Sequence, residues 1–210
     1  MIRAIIFDLD GVLCHTDALH CKAWKQACAI YGFTFTEECN DLLRGVSRMD
    51  CVDIILSKQT AVPRDFDKVG FATEKNMIYR SLLGHIGKDE MDGRVPDMLR
   101  RLKAMGLKLA VGSSSRNAPL ILDTLHIASL FDAVVDGSIL TKSKPSPEVF
   151  IRAAERIGVR CDEAVVVEDA EAGIQAAKAG GFFTVSIGLS SGETNLESVI
   201  DLVDIEVLKQ

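Results

Sequence analysis

Two carboxylates end a short apolar run near the start of the chain. The run begins at Ile5, the acids are Asp8 and Asp10, and Gly11 follows them. A short apolar run is typical of a parallel strand covered on both faces, and ligands of open α/β sheets bind beyond the carboxyl ends of such strands. Asp-Gly is also common in ordinary turns. The two acids are therefore candidates for chemistry that need support from the rest of the chain.

Two further predicted strands end in polar groups. Residues 107–111 read as a strand followed by a polar segment that contains Ser113, and residues 164–167 read as a strand followed by Glu168 and Asp169. In a parallel sheet the carboxyl ends of neighbouring strands meet at one edge. We therefore expect the acids and the hydroxyl group to lie close together.

A cation is needed where so many acids meet. Two carboxylates 4 Å apart repel each other by about 4 kcal/mol at an effective dielectric constant of 20. Oxygen ligands without cysteine or histidine suit a hard ion, and Mg²⁺ is the usual choice in phosphate chemistry. The expected metal-binding residues are Asp8, Asp10, Glu168 and Asp169.

Lys144 and Ser113 complete a predicted site for phosphoryl transfer. Lys144 would supply a fixed positive charge and Ser113 a neutral donor around a phosphoryl group. Asp8 could then attack as a nucleophile, and Asp10 could protonate the leaving oxygen. Each piece also has an ordinary interpretation: a helix cap for Ser113 and a surface lysine for Lys144. Their joint occurrence at strand ends and loops favours the catalytic interpretation.

The pattern of elements predicts an α/β fold with an inserted helical region. Helical periodicity recurs through residues 17–84 without a clear strand, and strands alternate with helices after residue 94. Such alternation predicts a Rossmann-like, doubly wound parallel sheet. We assign residues 1–15 and 88–210 to this core domain and residues 16–87 to an all-helical cap domain. The tail from Asn195 is compatible with either a helix or a short strand.

Composition excludes several classes of protein. The chain has 210 residues, 48% of them hydrophobic, and a net charge of −6, which argues against nucleic acid or an anionic membrane as a partner. No apolar run is long enough for a membrane span. The six cysteines show no metal-ligand spacing, so we expect free thiols packed as small hydrophobes in a cytoplasmic protein. The segment 188–192 matches G-x-S-x-G, but no histidine follows it, so we interpret it as a loop.

The chemistry-bearing residues together resemble the haloacid dehalogenase superfamily. The resemblance spans the whole chain and rests on motifs that occur in the family's order, namely Asp8-Leu9-Asp10-Gly11, Ser113, Lys144-Pro145 and Glu168-Asp169. It implies Mg²⁺ held by Asp8, the backbone carbonyl of Asp10, and Asp169, with Glu168 close by. It also implies that the helical insert closes over the site as a cap.

Within that superfamily the cap is similar to that of the β-phosphoglucomutases. The residues that carry this similarity include Thr16, His20, Ala23-Trp24, Gly45-Val46-Ser47-Arg48 and Lys75-Asn76 in the cap, with residues 113–117 and 172–175 in the core. Such enzymes interconvert β-glucose 1-phosphate and glucose 6-phosphate through an aspartyl-phosphate and a β-glucose 1,6-bisphosphate intermediate.

The same similarity assigns residues to the substrate. It implies that His20 and Lys75 contact the sugar or orient Asp10. A second phosphate needs a second cationic pocket, and a guanidinium group suits it. The residues implied to bind the non-transferring phosphate are Arg48, Ser115, Arg116 and Asn117, and Thr16, Trp24 and Val46 complete the expected substrate-binding set.

The chain departs from the family pattern at three positions. His15 stands where an Asp is usual at the hinge, Asp92 replaces the usual Pro before Gly93, and Arg116 replaces a common Lys. The change at His15 could alter closure of the cap, whereas Arg116 keeps the positive charge. None of the three removes a predicted catalytic group.

Two other functions remain open at this point. A sugar-phosphate phosphatase would share every core residue, and a catalytically inactive binding module would keep the fold alone. The intact Asp8, Asp10, Lys144 and Asp169 argue against the inactive module. We expect a monomer whose partner is a small phosphorylated sugar.

Overall fold

A six-stranded parallel sheet forms the centre of the structure, a computed structural model that describes residues 1–43, 46–87 and 90–208. The strand order is β3-β2-β1-β4-β5-β6, and every neighbouring pair runs parallel. The strands are β1 (Ala4–Phe7), β2 (Lys108–Gly112), β3 (Ala133–Val135), β4 (Ala164–Glu168), β5 (Phe183–Ile187) and β6 (Thr194–Leu196). The predicted parallel α/β sheet is confirmed.

Strand β1 lies in the middle of the sheet and is apolar on both faces. Ile5 and Phe7 belong to the hydrophobic cluster on one face, and Ile6 belongs to the cluster on the other. All three side chains are fully buried, because helices cover both faces of a doubly wound sheet. This double burial explains why the strand reads as a continuous apolar run rather than an alternating one.

The core helices divide between the two faces. Helices α5 (Val95–Ala104) and α6 (Ala118–Thr124) pack with Ile5 and Phe7, whereas α7 (Glu148–Ile157) and α8 (Glu171–Ala179) pack on the opposite face. Short 3₁₀ turns occupy Ala128–Leu130, Cys161–Glu163, Val199–Asp204 and Glu206–Leu208. The C-terminal region thus contains a three-residue strand followed by 3₁₀ turns, which resolves the open prediction for the tail.

Four helices lie between β1 and α5, with no strand in the part of 17–84 that the structure describes. They are α1 (Asp17–Ile30), α2 (Glu37–Asp41), α3 (Arg48–Ser57) and α4 (Lys68–Leu83). The side chains of Thr36, Ser47 and Asp67 accept hydrogen bonds from the first turns of α2, α3 and α4, as caps of this type do.

The helical insert, which we call the cap, has a hydrophobic cluster of its own. Trp24, Ile55 and Phe71 are buried in it, away from the two clusters of the sheet. Tyr79 and Leu83, near the end of α4, belong instead to the cluster of the sheet. The predicted boundary at residue 88 and Gly45 of the cap motif lie outside the described residues, so the division at 16–87 stays a prediction.

The cysteines are all free thiols, as expected. Cys14, Cys28, Cys39 and Cys51 are buried among apolar neighbours. Burial raises the pKa of Cys28 and of Cys51 to about 12, which favours the unreactive thiol. Among the described helices, none is long and apolar enough to cross a membrane.

Candidate active site between the cap and the core

Three adjacent strand tips bring the predicted catalytic groups together. Asp8 follows β1, Ser113 follows β2, and Glu168 ends β4, and these strands are neighbours in the order β2-β1-β4. The backbone N–H of Asp8 donates to Val167 at 2.9 Å, so the parallel ladder continues to the residue that carries the acid. The sheet therefore fixes the main chain of Asp8 before its side chain makes any contact.

Lys144 connects two of the acids. Its Nζ donates to Oδ1 of Asp8 at 2.5 Å and to Oε2 of Glu168 at 2.8 Å, and it lies 4.8 Å from the ring centroid of Phe150. Burial alone would lower the pKa of Lys144, but the carboxylates of Asp8 and Glu168 outweigh it and raise that pKa. Lys144 therefore stays protonated beside Asp8, in the position expected of a fixed charge.

Asp8, Glu168 and Asp169 form a carboxylate cluster. Each offers one carboxylate oxygen, and these oxygens all lie within 4.8 Å of one another. Burial, with the charge of Asp8, raises the pKa of Asp169 to about 7 and that of Glu168 to about 8, although Lys144 opposes both shifts. A hard divalent cation would relieve the repulsion that raises these pKa values, so the three donors fit such an ion. The side chain of Asp10 is not part of the cluster, which is consistent with metal binding through its backbone carbonyl and leaves its carboxyl group for proton transfer.

Two glycines make room for the carboxylates. A Cβ on Gly11 would lie 1.8 Å from Oδ2 of Asp169, and a Cβ on Gly173 would lie 2.1 Å from Cδ of Glu168. Gly11 also has a φ of +89°, a conformation that other residues rarely adopt. The backbone of both positions thus approaches the acids more closely than a side chain would allow.

Asp10 is held from the side of the cap. The hydroxyl of Thr16 makes a short hydrogen bond to Oδ1 of Asp10, and the hydroxyl of Tyr79 donates to Oγ1 of Thr16 at 3.0 Å. Burial raises the pKa of Asp10 to about 7, the bond from Thr16 opposes the shift, and the charge of Asp8 adds to it. A carboxyl group with a pKa near neutrality can both give and take a proton.

Buried Lys75 and half-buried His20 form a second group beside these hydroxyls. Nζ of Lys75 lies 2.9 Å from Nδ1 of His20 and within 4.8 Å of the ring centroids of Trp24 and Tyr79. Burial lowers the pKa of Lys75 to about 7, and burial with the charge of Lys75 lowers the pKa of His20 well below its usual value. The pair therefore presents at most one positive charge at neutral pH.

Arg48 forms a cationic pocket where the cap meets the core. Its Nη2 donates to Oδ1 of Asn76 at 2.8 Å, and Nδ2 of Asn117 donates to the same oxygen at 2.9 Å. Burial and the nearby charge of Arg116 lower the pKa of Arg48. A second bond across the same junction runs from Oγ of Ser143 to Oδ2 of Asp50 at 3.3 Å. The cap is thus hydrogen-bonded to the core around this pocket.

One cavity of about 830 Å³ contains both the acidic cluster and the cationic pocket. Thr16 is the predicted substrate-binding residue that does not line it, because its fully buried side chain lies behind Asp10. The predicted residues that do line it are Asp8, Asp10, His20, Trp24, Val46, Arg48, Lys75, Ser113, Ser115, Arg116, Asn117, Lys144, Glu168 and Asp169. The structure brings these residues together, and their individual roles stay predictions.

Several residues that shape the site were absent from the predicted set. Tyr79 holds Thr16, Asn76 joins Arg48 to Asn117, and Gly173 makes room for Glu168. Asn76 carries part of the cap similarity, so the sequence contained a signal for it. Tyr79 reads as an ordinary apolar position of α4, and no pattern in the sequence marks it.

Comparison with known proteins agrees with this geometry. The sequence matches the haloacid dehalogenase-like hydrolases over residues 2–181. It is 36% identical over 189 residues to beta-phosphoglucomutase of Bacillus subtilis, which covers 89% of this chain and 84% of the relative. It is 33% identical over 194 residues to fructose-1-phosphate phosphatase YqaB of Escherichia coli, which covers 88% of this chain and 96% of the relative.

A solved structure shows the same fold. The crystal structure of beta-phosphoglucomutase from Clostridium difficile matches with a TM-score of 0.88 and 32% sequence identity, over 96% of this chain and 93% of that chain. The family match covers well over half of the chain, and the motif acids lie at the strand tips with Lys144 in the loop before α7. The chain therefore belongs to the haloacid dehalogenase superfamily and, within it, is similar to the β-phosphoglucomutases.

Proposed function

We propose that the protein is a Mg²⁺-dependent phosphotransferase that interconverts β-glucose 1-phosphate and glucose 6-phosphate. The observation that carries this proposal is the arrangement of one cavity with two anion-binding ends. Lys144 and Ser113 lie at the end with Asp8, and Arg48 lies at the end formed by the cap. A substrate with one phosphate needs one such end, whereas a bisphosphate intermediate needs both.

Asp8 is the proposed nucleophile. Its Oδ1 is held by Lys144, so its other carboxylate oxygen is available to a phosphorus atom. Phospho-Asp8 gives its phosphoryl group to the C6 hydroxyl of β-glucose 1-phosphate, and Asp10 takes the proton of that hydroxyl. After β-glucose 1,6-bisphosphate has turned around, Asp8 attacks the phosphate on C1 and Asp10 returns the proton to the C1 oxygen. The cycle ends with glucose 6-phosphate and phospho-Asp8.

The cation belongs to the same end of the cavity. Asp8, Asp169 and the backbone carbonyl of Asp10 would hold Mg²⁺, with Glu168 close by. When bound, Mg²⁺ would neutralise charge on the transferring phosphoryl group. Lys144 and Ser113 orient the same group through their own donors.

The cap contributes the second phosphate site. Arg48 and Asn117 both donate hydrogen bonds to the side-chain oxygen of Asn76. Arg116 and Ser115 also line the cavity. A guanidinium group can bind phosphate through two parallel hydrogen bonds. The mutase reaction also requires the cap to keep out water, which would otherwise hydrolyse phospho-Asp8.

A sugar-phosphate phosphatase is the second candidate. It is supported by the similarity to fructose-1-phosphate phosphatase YqaB, which matches at 33% identity. The two functions differ in whether water or a sugar hydroxyl accepts the phosphoryl group of Asp8.

The deciding experiment offers both acceptors at once. The protein is incubated with Mg²⁺, β-glucose 1-phosphate and a trace of β-glucose 1,6-bisphosphate, and glucose 6-phosphate and free phosphate are measured together. We expect glucose 6-phosphate to form faster than free phosphate. Free phosphate without glucose 6-phosphate would establish the phosphatase. Labelling of Asp8 by acetyl phosphate, read by mass spectrometry, separates either enzyme from an inactive binding module.

A further inference from the structure

Tyr79 connects the cap to Asp10 through a hydrogen bond to Thr16. It is fully buried near the end of α4, and its hydroxyl donates to Oγ1 of Thr16, whose own hydroxyl bonds to Asp10. Its ring lies 4.0 Å, centroid to centroid, from His20 and 4.6 Å from Nζ of Lys75. Tyr79 thus contacts both Thr16, which bonds to Asp10, and the neighbouring pair of His20 and Lys75.

The chain of hydroxyl groups has a fixed direction. A hydroxyl has one proton to donate, so a threonine that gives its proton to Asp10 must accept from Tyr79. If Thr16 instead donated to Tyr79, the hydroxyl proton of Tyr79 would need another acceptor. Among the described residues, its hydrogen-bond partner is Thr16. An unpaired buried donor costs about 1–3 kcal/mol. The direction from Tyr79 through Thr16 to Asp10 is therefore strongly preferred.

This direction decides which oxygen of Asp10 can carry a proton. Oδ1 accepts from Thr16, so a proton on Asp10 must reside on Oδ2. We propose that Tyr79 is a positioning residue that, through Thr16, keeps the transferable proton of Asp10 on Oδ2. The inference rests on the acid and base role that the proposed function gives to Asp10.

The ring of Tyr79 makes further contacts within the cap. His20 and Lys75 pack against the ring, and Thr16 is at the start of α1, where the chain leaves the core. Tyr79 therefore ties α4 to the first residue of the cap and, through it, to the catalytic acid. Phenylalanine at this position would keep the packing and remove only the donor.

The test compares two phosphoryl donors. Glycerol 2-phosphate has an alkoxide leaving group that needs a proton, whereas acetyl phosphate has a leaving group that does not. Neither depends on the identity of the sugar, so the outcome is independent of whether the protein is a mutase. The single-turnover rate at which each donor phosphorylates Asp8, before water removes the phosphoryl group, is measured for wild type, Tyr79→Phe, Thr16→Val, the double variant and Asp10→Asn. Tyr31→Phe is the matched control, because Tyr31 is the other tyrosine and is half-exposed on the cap.

We expect Tyr79→Phe to lower the saturating rate of Asp8 phosphorylation by glycerol 2-phosphate at least about tenfold, since positioned general acids contribute about 10²-fold or more. The donor concentration that gives half of that rate should change less than about twofold. The rate of Asp8 phosphorylation by acetyl phosphate should change less than about twofold, and the double variant should be no slower than Thr16→Val alone. Equal losses for both donors, additive losses, or no loss would overturn the proposal.

Asp10→Asn separates this inference from the function on which it rests. If Asp10→Asn discriminates between the donors and Tyr79→Phe does not, the positioning role of Tyr79 is wrong while Asp10 keeps its role. If Asp10→Asn does not discriminate, Asp10 is not the acid, and the proposed mechanism falls together with the role of Tyr79.

Discussion

The core side and the cap side of the cavity satisfy their charges in opposite ways. On the core side Lys144 lies between Asp8 and Glu168, and the side chains of Lys144 and Glu168 are 3% and 2% exposed. On the cap side Arg48 and Lys75 contact Asn76 and His20, which carry no negative charge. Within residues 1–43, 46–87 and 90–208, neither cation lies within ion-pair distance of a carboxylate.

This difference separates chemistry from recognition. The core groups hold one another in place, so their geometry is set before a ligand arrives. The cap cations are only partly compensated, so an anionic ligand would supply the missing charge. Changes on the core side should therefore affect every phosphoryl donor, and changes on the cap side should affect donors that carry a second phosphate.

The largest expected effect is that of Asp8→Asn. Because the proposed nucleophile is lost, turnover of both a sugar phosphate and acetyl phosphate should fall by about 10⁴-fold or more. Lys144 keeps Glu168 as a partner, so the fold should survive, which circular dichroism would check. Labelling at another residue by acetyl phosphate would remove Asp8 from the mechanism.

Arg48→Ala tests the cap side alone. Loss of a bidentate phosphate contact should weaken kcat/KM for β-glucose 1-phosphate with its bisphosphate activator by about 100-fold, and acetyl phosphate turnover by less than about twofold. Arg101→Ala is the matched control, because Arg101 is exposed on α5 and does not line the cavity. Equal losses for the two donors would mean that Arg48 supports the catalytic geometry rather than a second phosphate.

Asn76→Asp would make the cap side resemble the core side. The new carboxylate would lie within hydrogen-bond distance of Arg48 and compete with a ligand phosphate. We expect KM for the sugar phosphate to rise about tenfold while kcat changes little. Asn40→Asp places the same charge elsewhere on the cavity wall and should have a smaller effect. A larger effect at Asn40 would mean that general repulsion, not pairing with Arg48, sets the affinity.

The smallest expected effect is a pH-dependent shift in stability on the core side. The folded-state pKa of Asp169 is about 7, above its usual value of 3.8, so the metal-free folded protein binds more protons than the unfolded chain between those values. Its stability should therefore fall as pH rises from about 4 to about 7.

Mg²⁺ should restore the stability that is lost when Asp169 gives up its proton. We expect Mg²⁺ to raise Tm by a few degrees more at pH 8 than at pH 6. Each kcal/mol by which Mg²⁺ binding stabilises a protein of this size raises Tm by about 2–4 °C. Asp169→Asn should abolish this difference. An equal gain at both pH values in the wild type would argue against a cation among these acids.

Local signals predicted most of the fold. The strands predicted at residues 107–111 and 164–167 agree with β2 and β4 to within one residue at each end. Gly158, with a φ of +67°, follows α7 immediately, and such punctuation is readable without tertiary information. The sequence does not decide between helix and strand for the three-residue edge strand β6, because so short a segment has no measurable period. Its place in the sheet depends on pairing with β5 alone.

The candidate site divides in the same way. The acids at the strand tips were predictable, because parallel strands all end at one edge of the sheet. The contact of Thr16 with Asp10 rather than with the cavity was not predictable, nor was the anchoring by Tyr79. Both depend on the angle at which α4 crosses the start of α1, which no local pattern specifies.

Gly11 and Gly173 have a consequence for experiments that survey every position of the chain. Neither has a functional group, yet a methyl group at either one would displace Asp169 or Glu168. In a saturation mutagenesis screen scored by activity, we expect these two positions to be as intolerant as the acids themselves. In a parallel screen scored by stability, substitutions at the two glycines should lower stability because they displace a neighbouring carboxylate. A substitution that removes only a reacting group should lower activity alone.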